Sequence, residues 1–292
     1  MKFSIITPTF NRSDLIGRTI LSILNQTYVN FELIIVDDGS TDSTSEVVSK
    51  YLKDERIKYI KSPKNGGVNK ARNEGLNNVS INSDWITFLD SDDIFHQDAL
   101  ENMKKSFEKN PNIEYFRFPV IHTNGKSACN LELVNTVADY KRYISIIDKC
   151  GEWAITFSKR ILDDGFLFDD RVNGFETIAW IKLSKKENVF FDESFVRIYY
   201  TDMPGLSRSS QRKKSFFENH FKANSILLSE SGDDIERYNI KLYISLLYEE
   251  SILNIILGNK MAGIIIAYKA VKLDPFNINI LRIFKNLLIK KI

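Results

Sequence analysis

The chain is sparing with the features that define several large protein classes. Its two cysteines, Cys129 and Cys150, stand far apart without metal-ligand spacing, which argues against a disulfide framework or a zinc module and fits a reducing compartment. Met1–Lys2 leads into a short apolar run that ends at Thr7–Pro8, which is not the form of a signal peptide. No uninterrupted apolar stretch reaches the length needed to cross a bilayer. The formal net charge is only +2, so no overall field points to nucleic acid. A cytoplasmic protein is therefore expected. Two nucleotide signatures are also missing: no G-x-G-x-x-G follows the first apolar run, and no G-x-x-x-x-G-K-[ST] occurs anywhere.

What is present is an ordinary globular composition, with ample residues for one large or two modest domains. Apolar runs alternate with segments of helical spacing. Phe3–Ile6 reads as a strand stopped by Thr7–Pro8–Thr9, and Asn11–Ser13–Asp14 offers N-caps for a helix reaching about Asn25. Phe31–Val36 and Ile57–Lys61 are the next strands, with a helix between them from about Ser43 to Leu52. A loop, Ser62–Gly67, precedes a helix that carries Asn69, Ala71, Arg72, Asn73 and Leu76. The fourth strand starts at Trp85. Strand, loop and helix in steady alternation predict an α/β fold with a mostly parallel sheet flanked by helices.

The strand ends carry the chemistry, because ligands of an open α/β sheet sit beyond the carboxyl ends of its strands. Trp85–Leu89 runs straight into Asp90–Ser91–Asp92–Asp93. Two aspartates one residue apart suit a hard cation such as Mg²⁺ or Mn²⁺, whose remaining positions are filled by water and substrate phosphates. The plainer alternative is a turn that caps the following helix. Asp38, after the second strand, is placed to accept from a base N–H or a ribose hydroxyl. Thr7–Pro8–Thr9 would line a base pocket, and Arg72 would reach the base or a phosphate oxygen. Asp37 is expected to turn inward and hold its own loop.

Further on, a helix is predicted from about Gln97 to Lys109, a strand from Ile113 to Ile121, a helix from Tyr140 to Ile147 and a strand at Glu152–Phe157. Trp153 reads as a core aromatic, with stacking on a sugar face as the alternative, and His122 as packed or solvated. From about Lys213 the pattern becomes helical throughout. These changes divide the chain into a catalytic domain over residues 1–210 and a helical region over 211–292. The last helix places Ile280, Leu281, Phe284, Leu287 and Leu288 on one face, with Arg282, Lys285, Lys290 and Lys291 beside them. It would rest on an anionic membrane surface, or else pack on the catalytic domain or a second subunit.

Four motifs occur in a shared order: Ile5–Asn11, Val36–Asp42, Asn65–Gly67 with Ala71–Arg72–Asn73, and Leu89–Asp93. Together they resemble family 2 glycosyltransferases over roughly residues 1 to 205. The resemblance implies the GT-A fold and inverting transfer from a nucleoside-diphosphate sugar, with uracil as the expected base. It puts Thr7, Pro8, Thr9, Asn11, Asp38, Arg72, Asp90 and Ser91 around the donor, with Asp92 and Asp90 on Mg²⁺ or Mn²⁺. The acceptor would be a glycan or a lipid-linked glycan, met at the inner face of the cell membrane. Many members carry a Glu-Asp pair four residues before a helical aromatic, the aspartate serving as base. Here the segment is Phe175–Glu176–Thr177, and counting back from Trp180 puts Glu176 in the base position; its alternative role is a helix-start residue favoured by the dipole. A histidine that some members carry near residue 202, where it helps hold the metal or diphosphate, is absent, and Asp202 is its only local replacement. A nucleotidyltransferase would need a basic, glycine-rich loop where Thr9–Phe10–Asn11 stands, and a non-catalytic sugar-nucleotide binder would have lost its base.

Overall fold

The computed structural model describes residues 1–200 and 213–288. Among the described residues, ten strands form one sheet. β1 (Phe3–Thr9), β2 (Phe31–Asp37), β3 (Ile57–Lys61) and β4 (Trp85–Phe88) are mutually parallel in the order β3-β2-β1-β4. The chain steps outward from β1 to β3 and then returns to the other side of β1 with β4. That reversal opens a crevice at the carboxyl ends of these strands. Beyond β4 the polarity changes. β8 (Trp153–Ser158) pairs antiparallel with both β4 and β6 (Tyr115–His122). β9 (Val189–Phe191) and β10 (Arg197–Tyr199) run parallel to β6, and the short β5 (Ile94–Phe95) and β7 (Thr136–Ala138) close antiparallel edges.

Every residue of β1 and β2 is buried, as befits parallel strands covered on both faces. Alternate residues of β1 serve opposite layers. Phe3 and Ile5 pack with Ile16, Ile20 and Ile23 of α1 (Ile16–Leu24) and with Met103 and Phe107 of α4 (Ala99–Lys109). Trp85 stacks on Phe107 with centroids 3.7 Å apart. Ile6 faces α3 (Val68–Asn77), where a Cβ on Gly75 would come within 2.4 Å of Ile6 Cγ2, so only glycine lets the helix lie this close.

Pro8 lies inside β1 rather than ending it. The Ile6 carbonyl accepts from Leu89 N at 3.0 Å, so its edge of β1 faces β4, and the β1–β4 ladder ends at Ile6. Two residues on, Pro8 points to that same side, where no ladder bond is lost for want of its N–H. α1 likewise begins at Ile16 without a side-chain cap, because Asn11 and Ser13 bond across to the loop after β2.

By packing, the chain divides into two compact units: Met1–Tyr140 with Lys149–Met203, and Lys141–Asp148 with Pro204–Ile292. In the first, α2 (Thr44–Ser49) follows β2, and α6 (Lys159–Asp163) and α7 (Thr177–Ser184) follow β8. α5 (Tyr140–Ile146) leads into the second unit, which is otherwise helical: α8 (Lys214–Tyr238), α9 (Ile240–Ile256), α10 (Lys260–Leu273) and α11 (Asn279–Leu288). Asn239 caps α9 by accepting from Leu242 N, and its amide donates to Ile144 O at 3.0 Å and Asp148 Oδ1 at 2.7 Å. α8 continues through the polar stretch 229–236 because only Ser231, Gly232 and Ile235 of it need burial. Among the described residues, no helix is long and apolar enough to cross a membrane.

Candidate active site

Three strand-end loops converge at the crevice. Asp37 is fully buried and holds its turn, accepting from Ser40 N at 2.7 Å and from the Tyr59 hydroxyl at 2.5 Å. Asp38 faces the other way. Its two oxygens accept from Gly66 N and Gly67 N, each at 2.8 Å, so one carboxylate fixes the loop after β3. Asn11 sits in the left-handed region at φ 51° and ties the β1 loop to the β2 loop, its side chain accepting from Thr41 N at 2.9 Å. The hydroxyls of Thr7 and Thr9 are buried and have no hydrogen-bond partner. Unsatisfied buried hydroxyls at a strand end are where a ligand group would be accepted.

The carboxylates after β4 are held by side chains that motif spacing does not reveal. Thr19 donates to the carbonyls of Ser91 at 3.0 Å and Asp93 at 2.8 Å, and the Arg18 guanidinium donates to the Asp92 carbonyl. Arg12 lies 3.8 Å from the Asp92 carboxylate. Arg197 of β10 is buried; it pairs with Glu152, stands 3.6 Å from the Asp93 carboxylate and 3.9 Å from that of Asp90. Burial raises the Asp92 carboxyl above its usual range, as does the neighbouring Asp90, against the opposing pull of Arg12. Burial pushes Asp93 up to about 7, with Asp90 and Asp92 adding to the rise and Arg197 opposing it. Asp93 Oδ2 accepts no hydrogen bond.

This crowd of hard oxygen donors fits a divalent cation. Asp90 and Asp92 are partly exposed, at 39% and 34%, each with a guanidinium beside it, Arg72 for Asp90 and Arg12 for Asp92. Among the described residues no group of three or more ligating side chains is assembled.

Glu176 meets this cluster through one guanidinium. Arg72 of α3, 9% exposed, bonds Glu176 through Nη1 and Asp90 through Nη2 at 3.3 Å. Burial works to lower the Arg72 pKa, but the Glu176 and Asp90 carboxylates outweigh it and raise it. Arg72 is thus committed to two carboxylates at the place where the sequence puts a base or phosphate contact. Glu176 opens α7, and α7 is anchored by Trp180, which packs on Phe166 at 5.9 Å and on Phe168 at 5.2 Å. Phe175, before it, holds φ 58°, a costly conformation for a bulky side chain. Thr177 is exposed on the first turn of α7. Trp153 is a core residue, edge-on to Phe191 at 5.0 Å with its indole N–H on Cys150 O. Ser91 is buried and engages through its carbonyl. Asp202 lies outside the described residues.

The profile of the family described as Glycosyl transferase family 2 matches residues 4–158. Among relatives, the chain is 34% identical over 255 residues to the minor teichoic acid biosynthesis protein GgaA of Bacillus subtilis, covering 82% of this chain and 56% of that protein. It is 33% identical over 206 residues to a GalNAc(5)-diNAcBac-PP-undecaprenol beta-1,3-glucosyltransferase of Campylobacter jejuni, covering 68% and 64%. The chain therefore spans less than two thirds of either relative, and only 18% of a longer uncharacterised glycosyltransferase of Rickettsia conorii. Solved structures share the GT-A fold. Staphylococcus aureus TarS 1–349 in complex with UDP-GlcNAc superposes with a TM-score of 0.66 at 18% identity, covering 98% of this chain and 89% of that one. The mannosyltransferase PcManGT from Pyrobaculum calidifontis, in complex with GDP-Man and Mn²⁺, gives 0.58 at 14% identity, covering 97% and 83%. With the family profile covering more than half of its length, this chain belongs to glycosyl transferase family 2.

Proposed function

We propose that the chain transfers a sugar from a UDP-sugar to a hydroxyl of a glycan or lipid-linked glycan, with inversion at the anomeric carbon. The observation that carries this reading is the bridge Glu176–Arg72–Asp90, which joins the carboxylate at the start of α7 to the carboxylates after β4. Asp38, Thr7, Pro8, Thr9, Asn11 and Ser91 would receive the nucleoside, with Asp90 contributing to the ribose or the metal's shell. Asp92 and Asp90 would hold Mg²⁺ or Mn²⁺, whose charge offsets that of the departing diphosphate. Glu176 takes the proton of the acceptor hydroxyl, the freed oxygen bonds to the anomeric carbon, and the bond from that carbon to the diphosphate oxygen breaks. A single displacement of this kind inverts the centre. Arg72 orients Glu176 throughout.

Supporting the donor is the UDP-GlcNAc bound by TarS, and supporting the acceptor class are the relatives named for teichoic acid synthesis and for an undecaprenol-linked glycan. A lipid-linked acceptor suits peripheral contact with a membrane through the helices of the second unit. The test is Mn²⁺-dependent hydrolysis of UDP-glucose, UDP-galactose, UDP-GlcNAc and UDP-GalNAc. Release of UDP from at least one is expected. Release of pyrophosphate from UTP and a sugar phosphate, with no hydrolysis of the panel, would make the protein a nucleotidyltransferase instead.

A further inference from the structure

The segment that delivers Glu176 has almost no regular structure of its own. Between Phe168 and Glu176 the chain forms neither strand nor helix, so its carbonyls have no ladder to enter. One side chain collects three of them. The amide nitrogen of Asn69, on the first turn of α3, lies 2.9 Å from Asp169 O, 3.1 Å from Val172 O and 2.8 Å from Gly174 O. Asn69 is buried at 2% exposure, and its Oδ1 has no hydrogen-bond partner. The carboxamide is therefore turned for its two N–H groups alone, and a reversed amide would set oxygen against three carbonyls. The loop answers in kind: Asn173 Oδ1 accepts from Val68 N at 2.8 Å. One turn along α3, Asn73 exchanges two bonds with Phe168, at 2.9 and 3.0 Å, and Arg72 takes Glu176. Positions 69, 72 and 73 share one helical face.

We infer that Asn69 is a positioning residue for Glu176, a role that rests on Glu176 being the base. The bond to Gly174 O fixes the peptide that leads into Phe175, whose left-handed backbone is a conformation the loop alone would relax out of. Asn69 holds that backbone, and the backbone aims the Glu176 carboxylate. The residue acts on reactivity through one loop, without touching donor or acceptor.

Asn69→Ala and Asn69→Asp test it, assayed with whichever of the four UDP-sugars the unaltered chain hydrolyses. Both should lower kcat about tenfold or more, the scale set by small misplacements of a reacting group, while KM for the donor stays within about twofold. Asp should be the worse of the two, since it turns a carboxylate on three carbonyls. In a Glu176→Gln background, Asn69→Ala should cause no further loss. Faster amide hydrogen exchange at 172–176, with β1 to β4 unchanged, is the expected readout independent of turnover. Should Asn69→Ala not fold, Asn69→Ser keeps one donor and carries the same comparison. Unchanged exchange at 172–176, or an additive loss in the double variant, overturns the inference. A normal kcat in Asn69→Ala beside a lost one in Glu176→Gln overturns it alone, whereas a normal kcat in Glu176→Gln removes the base assignment beneath it.

Discussion

Arg72 and Glu176, 104 positions apart in the chain, form an ion pair, and the same guanidinium reaches Asp90. A buried arginine shared by two carboxylates is a fixed distance gauge between them. In the proposed reaction those carboxylates belong to opposite partners, the acceptor and the donor. Changing Glu176 should therefore alter chemistry more than binding.

Glu176→Gln is expected to cut turnover about a hundredfold or more, the order of losing a general base. Donor affinity, measured by calorimetry with UDP and Mn²⁺, should stay nearly unchanged. Near-normal turnover on the true acceptor would move the base elsewhere, with Asp202 the next residue to replace.

Asp92→Asn should abolish the gain in donor affinity that Mn²⁺ provides, while the melting temperature holds or rises. The rise is expected because the variant removes a carboxylate that burial and Asp90 both disfavour as a charge. Equal Mn²⁺ enhancement in variant and parent would show that Asp92 is not a metal ligand.

Asp38→Ala ought to weaken UDP binding even without metal. It also strips Gly66 N and Gly67 N of their acceptors, so a stability loss of about 1–3 kcal/mol is expected alongside. If only the sugar-bearing donor binds less tightly, Asp38 does not contact the nucleoside.

Asp169 gives a prediction in pH. Its hydrogen bonds and ion pair to Arg171, with Lys182 nearby, outweigh burial and hold it down at about 2. A carboxyl depressed in the folded state contributes stability that is complete above its unfolded value of about 3.9 and is lost as pH falls towards 2. Asp169→Asn should therefore melt lower than the parent at pH 5 to 7, and the gap should narrow steadily below pH 4. A gap independent of pH would mean that the pair contributes nothing through charge.

On α10, Met261, Ile264, Ile265 and Tyr268 recur at helical spacing and are exposed by 42% to 71%. No acid other than Asp274 follows Lys260. Sedimentation with anionic vesicles should fall in Ile265→Glu and in a chain truncated before Asp274. Equal sedimentation of all three proteins would remove the membrane contact.

The parallel half of the fold was legible because each of its strands is a buried apolar run followed by polar residues. The positions of Asp38, Asp90 and Asp92 after those strands could be read for the same reason. The rest arrives by routes that a one-way scan of strand ends misses. β8 runs against β4, so it brings its start to the crevice, and Glu152 enters just before that start to meet Arg197. Val189–Tyr200 reads as one strand region but is divided between β9 and the three-residue β10, and nothing in its pattern singles out Arg197. Arg12, Arg18 and Thr19 read as ordinary helix-start and helix-surface residues until the loop after β4 lies against them. Pro8 read as a strand end because sequence does not reveal which side of β1 has lost its neighbour.

Gly67 has a consequence for recombining this protein with its relatives. A Cβ there would come within 2.8 Å of Asn173 Oδ1, so the loop after β3 and the loop before α7 were shaped against each other. A chimera that imports a foreign 168–176 segment to change the acceptor would need residues 65–73 from the same parent. Under the proposed reaction, specificity on its two sides would be inherited as one block, and single-segment grafts should yield proteins that fold yet turn over poorly.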